Sequence, residues 1–148
     1  MQDMRVHLLS KSAVVPKRAT AEAAGYDLFA HLGEEGIKMV IHSHETVMVG
    51  TGIAIELPLN TFGAVFARSG LAVKEGLRPA NCVGVIDSDY RGEIKVALHN
   101  DSNEDRIISN GERIAQLVVV PYITPRIEIV ERLSSTDRGS GGFGSTGA

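Results

Sequence analysis

Val83-Gly-Val-Ile-Asp-Ser-Asp-Tyr-Arg-Gly-Glu-Ile-Lys-Val-Ala-Leu-His99 decides the reading of this chain. Its first four residues are apolar except for Gly84, then two carboxylates, a tyrosine and an arginine follow, and Gly92 closes the turn. From Glu93 the polarity alternates with period two, so Ile94, Val96 and Leu98 share one face, the pattern of a half-buried strand. The stretch reads as a β-hairpin whose tip carries Asp87, Asp89, Tyr90 and Arg91. A carboxylate at the end of a buried strand is rigidly held and partly desolvated, which suits a general base. An acidic turn alone is also what local turn chemistry produces, with Asp89 and Arg91 pairing to fix it.

Working outward, strand-like segments recur at short intervals: Arg5–Leu9, Lys38–Ile41, Thr46–Val49, Gly52–Leu57, Gly63–Arg68, Glu93–Asn100, Ile107–Ile108, Arg113–Val120 and Arg126–Val130. Turn formers separate them, as in Gly33-Glu-Glu-Gly36, Asn100-Asp-Ser-Asn103 and Asn110-Gly111. Only Leu71–Glu75 has a helical pattern, one or two turns long. Many short strands at this spacing predict an all-β sandwich or barrel with one short helix. Leu117-Val-Val-Val-Pro121 is continuously apolar, so that strand needs cover on both faces, from its own domain or from another subunit.

The 148 residues fit one domain. The net charge of −3 carries no basic footprint for nucleic acid. A polyanionic ligand must therefore be held by a few local arginines and backbone N–H groups. Cys82 is the single cysteine, which excludes an intrachain disulfide and a cysteine zinc site. No apolar stretch reaches membrane-span length, and the first residues lack a signal core, from which the expected location is inside the cell, cytoplasmic or nuclear. His42 and His44 share a strand face but suggest no third metal ligand, so they read as a solvated strand or turn. Residues 1–133 form the core, and 134–148 differ in kind. That segment holds five glycines, four serines, two threonines and one aromatic, the composition of a mobile arm.

Four further blocks accompany the opening stretch: Ala24-Gly-Tyr-Asp-Leu28, Ala67-Arg-Ser-Gly-Leu71, Gly111-Glu-Arg-Ile-Ala-Gln-Leu117 and Arg138-Gly-Ser-Gly-Gly-Phe-Gly-Ser-Thr-Gly147. In order and spacing the five blocks resemble the motifs of the trimeric dUTP pyrophosphatases (dUTPases), from about Arg5 to Gly147. The resemblance implies a jelly-roll-like distorted β-barrel or sandwich, assembled as a homotrimer with active sites shared between subunits and a flexible C-terminal arm. It implies hydrolysis of dUTP to dUMP and pyrophosphate with Mg²⁺, keeping uracil out of DNA and supplying dUMP for dTMP synthesis.

The residue roles it implies are specific. Asp87 activates the water that attacks the α-phosphorus, Gln116 sits near that water, and Ser69 lies near the bond that breaks. Arg68, Ser69 and Gly70 bind phosphates, as suits a strand-to-helix turn with free backbone N–H groups. Asn81 reads the base, since its amide can both donate and accept; Val85, Ile86 and Lys95 complete the pocket. Tyr90 lies beneath the deoxyribose and leaves no room for a 2′-hydroxyl. Asp27 holds hydrated Mg²⁺ through water, the ion being bound mainly by substrate phosphates, and Arg113 pairs with a carboxylate such as Asp27. Arg138, Phe143, Gly144, Ser145 and Thr146 belong to the arm, with Phe143 stacking on the base and the others closing over the γ-phosphate.

The chain departs from the family pattern at two places. His42-Ser-His-Glu45 replaces a Pro-Gly turn, and Arg78-Pro-Ala-Asn-Cys82 replaces an apolar run beside the base pocket. Two other readings fit part of the pattern. A dCTP deaminase shares this scaffold but needs an acid/base at C4 of cytosine, where this chain offers Asn81 and Asp87. A nucleotide sensor would bind dUTP tightly and hydrolyse it poorly.

Overall fold

The structure, a computed structural model, describes residues 3–142. Phe143, Gly144, Ser145 and Thr146 lie outside them. Eleven strands follow one another: β1 (Arg5–Leu8), β2 (Tyr26–Phe29), β3 (Lys38–Ile41), β4 (Thr46–Gly50), β5 (Ile53–Glu56), β6 (Thr61–Phe66), β7 (Leu77–Pro79), β8 (Val83–Ile86), β9 (Lys95–Asn100), β10 (Arg106–Ser109) and β11 (Arg113–Pro121). A single π-helical turn, Leu71–Glu75, sits between β6 and β7. The strands form a jelly-roll-like sandwich with no closed barrel. Its sheets are a four-stranded one ordered β2-β11-β6-β8, a three-stranded one ordered β4-β9-β7, and the ribbons β1-β5 and β10-β3.

Period-two patterning explains how the layers meet. Ile94, just before β9, and Val96 and Leu98 within it are all buried, and Leu28, Val65 and Leu117 reach the same cluster from the four-stranded sheet. Ile41, Ile53, Ile108 and Ile114 fill the space between, each at most 1% exposed. Each such side chain contributes about 1.5–3 kcal/mol by leaving water.

Three differences from the sequence reading stand out. The hairpin is not a paired one. β8 pairs with β6, with Val85 opposite Ala64, whereas β9 pairs with β4 on one edge and β7 on the other. With both edges of β9 taken, β8 has no place beside it, and residues 87–94 cross between two sheets. Secondly, β2 and β7 add two strands too short to show periodicity. Thirdly, Arg126–Val130 forms no strand, and Ile127 and Ile129 are 90% and 97% exposed. An apolar alternation without a neighbouring edge has nothing to pair with.

Candidate functional site

Antiparallel register puts Asp27, Gln116, Phe66 and Val83 in one row across the four-stranded sheet, on the face away from the core. The next row on that face is Val118, Ala64 and Val85, and beyond it Val120 faces Phe62. The first row ends in a polar cluster. Two residues past β6, Arg68 Nε donates to Asp27 Oδ1 at 3.0 Å, and Arg113 Nη1 donates to Asp27 Oδ2 at 3.3 Å. The Asp27 side chain is only 14% exposed, so its charge is balanced by two guanidiniums in a semi-dry setting where pairing counts for more than at the open surface. Gln116 Nε2 donates to Ala67 O at 2.9 Å, tying the strand to the turn that carries Arg68. Ser69 and Gly70 follow, both exposed. The helical turn begins at Gly70 without a side-chain cap, so Ser69 is not spent as a helix cap.

A second cluster surrounds a cleft of about 130 Å³ between β8 and β9. Asn81, Gly84, Val85 and Ile86 line one side, and Lys95, Val96 and Ala97 the other. β8 is the last strand of its sheet, so among the described residues no strand pairs with its outer edge. Met48, Val65 and Pro79 also line it; the sequence reading missed them, since three separate strands deliver them and no local signal marks them.

Asp87 lies just past β8 and is exposed in the single chain, not partly desolvated as the sequence suggested. Strand β8 is an edge, so among the described residues no neighbouring strand shields its end. Beside Asp87 is a shallow apolar shelf of Phe62, Val85 and Tyr122, in which the two aromatic rings meet edge-on with centroids 6.3 Å apart. Asp89 and Arg91 do not pair. Arg91 Nη1 instead donates to Ser88 O at 2.8 Å and Tyr90 O at 3.0 Å, because the turn presents carbonyls closer than its carboxylate. Tyr90 folds back, its hydroxyl donating to Glu93 O at 3.1 Å.

The two clusters are apart in the same chain. Asp87 lies level with the Phe62 end of β6 and Arg68 two residues past its Phe66 end, six residues apart, which in an extended chain is about 20 Å. Arg138 joins neither: its Nε donates to Gly141 O within its own exposed turn at 2.9 Å.

The clearest electrostatic shifts lie elsewhere. The hydrogen bond that His42 Nδ1 donates to the Asp105 carboxylate raises His42 above the ordinary histidine range, and the same contact lowers Asp105. The hydrogen bond from Arg78 lowers Asp101. His44 contacts Asn103, at 3.0 Å, so the two histidines have different partners. Among the described residues no three His, Cys, Asp or Glu side chains gather as a metal cage. Asp27 nevertheless suits a hydrated magnesium ion. A carboxylate offers about four acceptor positions; two are used by the arginines, and the others can take metal-bound water.

The dUTPase family model matches residues 11–147. The deoxyuridine 5'-triphosphate nucleotidohydrolase of Desulfitobacterium hafniense is 51% identical over 138 residues, covering 93% of this chain and 89% of its own. A mutant dUTPase of Staphylococcus bacteriophage 80alpha, solved with dUpNHpp, superposes with a TM-score of 0.88 at 30% identity, covering 99% of both chains. A mutant dUTPase from a Staphylococcus aureus phage, described with a structural Mg(II) ion, matches with a TM-score of 0.80 at 26% identity, covering 90% of this chain and 99% of its own.

Proposed function

The chain belongs to the dUTPase family, and on that premise we propose that it hydrolyses dUTP to dUMP and pyrophosphate at sites built from more than one copy of itself. The observation that carries this reading is the splayed β8–β9 cleft, with Asn81 and Lys95 on its walls and Asp87 at its end. A uracil entering the cleft meets the unpaired edge of β8 and the Asn81 amide, a donor–acceptor set matching O4 and N3–H. Cytosine reverses the pattern at position 4 and leaves polar groups unpaired. Tyr90 lies under the deoxyribose.

Asp87 then orients a water and takes its proton as the water oxygen bonds to the α-phosphorus. The bond from that phosphorus to the bridging oxygen breaks, and pyrophosphate leaves. Arg68, with the Ser69 hydroxyl and backbone N–H groups of residues 69 and 70, holds the phosphates. Gln116 orients the water at the α-phosphate. Asp27 keeps Arg68 aimed and accepts from waters of a Mg²⁺ ion, which when bound neutralises the triphosphate and fixes its coil.

Since Asp87 and Arg68 stand about 20 Å apart along the direction of β6, the Asp87 end of one copy must meet the phosphate cluster of another. The apolar outer face of the four-stranded sheet, with Val118, Val120, Phe62 and Val85, supports that contact, and a trimer closes it. Residues 1–133 act as the core and 134–148 as a lid in which Arg138, Phe143, Gly144, Ser145 and Thr146 close over the nucleotide. The enzyme would act inside the cell; among the described residues no helix is long and apolar enough to cross a membrane.

The test is pyrophosphate release with Mg²⁺ from dUTP, dCTP, dTTP and UTP, beside an Asp87→Asn variant. Release from dUTP alone, lost in the variant while dUTP still binds, is the expected result. Ammonia from dCTP makes the chain a deaminase, and tight dUTP binding without release makes it a sensor.

A further inference from the structure

Glu93 lies between the Tyr90 turn and the base cleft and has no role in the chemistry described so far, yet it contacts both. Its backbone carbonyl accepts the Tyr90 hydroxyl at 3.1 Å. One carboxylate oxygen accepts the Gly52 N–H at 2.9 Å, and the other lies 3.5 Å from Lys95 Nζ. The side chain is 28% exposed. Its neighbour Ile94 is locked in place: its N–H donates to Ile53 O at 2.8 Å, and its carbonyl accepts both the N–H and the hydroxyl of buried Thr51.

Two glycines make this arrangement possible. A Cβ on Gly50 would lie 2.6 Å from Glu93 Oε1, so only glycine lets the carboxylate reach Gly52. A Cβ on Gly92 would overlap the hydroxyl and Cζ of Tyr90, so only glycine lets the ring lie back over the turn. Tyr90 is therefore seated on Gly92 and tethered to Glu93, and Glu93 is bolted to the β4–β5 connection. The seat belongs to the rigid core although the ring is on a loop.

We propose that Glu93 is a positioning residue that sets sugar selectivity: its carboxylate, held over Gly50, fixes the carbonyl that holds Tyr90 against the deoxyribose. This rests on the reading of Tyr90 as the ring that excludes a 2′-hydroxyl. The Glu93 carbonyl shares one planar peptide unit with the Ile94 N–H and is held from that side by Ile53. The Gly52 contact holds Glu93 from the other side, and without it the chain entering from Gly92 shifts, the ring lifts from Gly92, and space opens for UTP. A displacement of this kind acts on discrimination, whereas a general loss of folding lowers turnover of both nucleotides together.

The experiment measures kcat/KM for dUTP and for UTP, with thermal melting, in the full-length protein and in Glu93→Ala, Glu93→Gln, Gly92→Ala and Tyr90→Ala. Glu93→Ala and Gly92→Ala should each lower the dUTP/UTP ratio about tenfold or more, the scale of a misplaced positioning group. Glu93→Gln should keep the ratio near that of the parent, since its amide oxygen still accepts from Gly52. If Glu93→Ala does not fold, Gly92→Ala displaces the ring directly and Glu93→Gln reports the anchor. An unchanged ratio in Gly92→Ala or Glu93→Ala, with Tyr90→Ala losing selectivity, overturns the role of the seat and leaves the Tyr90 reading standing. A ratio in Glu93→Gln as low as that of Gly92→Ala also overturns it, because the Gly52 contact would then be irrelevant. An unchanged ratio in Tyr90→Ala removes the premise and the proposal with it.

Discussion

Each oxygen of the Asp27 carboxylate is taken by a different arginine, so a single atom change there should reach two side chains at once. Asp27→Asn keeps the shape but replaces one acceptor with an amide donor that faces Arg113 and removes the charge facing Arg68. Denaturant unfolding should show a loss of about 2 kcal/mol, the usual scale for hydrogen bonds to charged groups, and kcat should fall as Arg68 loses its aim. At the other end of the molecule His42 and Asp105 give a prediction of opposite kind. The shared hydrogen bond raises the histidine and lowers the carboxylate. The histidine's contribution is fully present below its ordinary pKa and fades as pH rises through its raised value. That of Asp105 is present above its ordinary pKa and fades as pH falls through its lowered value. The stabilisation is thus greatest between the two ordinary values, and Asp105→Asn should lower the melting temperature more at about pH 5.5 than at about pH 8.5. Equal losses at both would show that the contact does not depend on the charge of His42. At this scale the sequence was informative about residue type and poor about partners. Arg113 finds Asp27 as expected, but Arg91 prefers two carbonyls of its own turn to Asp89. Such choices depend on a few ångströms of turn geometry that composition does not encode.

Among the elements, β9 shows why alternation predicts a face but not a neighbour. Ile94, Val96 and Leu98 turn inward as their spacing dictated, yet nothing in the pattern tells β9 to pair with β4 and β7 and leave β8 to β6. Those partners are set by the chain's long-range path, as is the cleft that the refused pairing creates. Asn100 is a related case. In sequence it looks like a turn former; in the fold it is fully buried, its amide donating to the carbonyls of Ile41, His42 and Glu104 while its oxygen accepts from the N–H and hydroxyl of Ser102. It joins the β3 end, the β9 end and the approach to β10. Asn100→Ala strands several buried polar groups, each costing about 1–3 kcal/mol, and should destabilise the fold at least as much as Leu117→Ala, expected to cost about 3 kcal/mol as a core truncation. Equilibrium unfolding of the two variants compares them directly. A cost under about 1 kcal/mol for Asn100→Ala would mean that water replaces the amide without penalty.

For the molecule as a whole, the question is whether one chain can act alone. Asp87 lies level with the Phe62 end of β6, and Asp27 and Gln116 line up with its Phe66 end, about 13 Å away, with Arg68 beyond. The face between them is apolar, and beyond β11 the chain runs on with Ile127 and Ile129 bare. On the proposed reading a single copy holds an incomplete site, and among the described residues its hydrophobic surface is uncovered. Subunit mixing tests this directly. Asp87→Asn damages only the cleft half and Arg68→Ala only the phosphate half, so either protein alone is inactive. Unfolded together in equal amounts and refolded, they form mixed assemblies. If each site takes its Asp87 from one chain and its Arg68 from another, random pairing leaves roughly a quarter of the sites with both halves intact. About that fraction of the parent rate should return in the mixture and not in either variant refolded alone. If both halves came from the same chain, every site in the mixture would carry one lesion, no activity would return, and the inter-subunit site would have to be given up even if the assembly were a trimer.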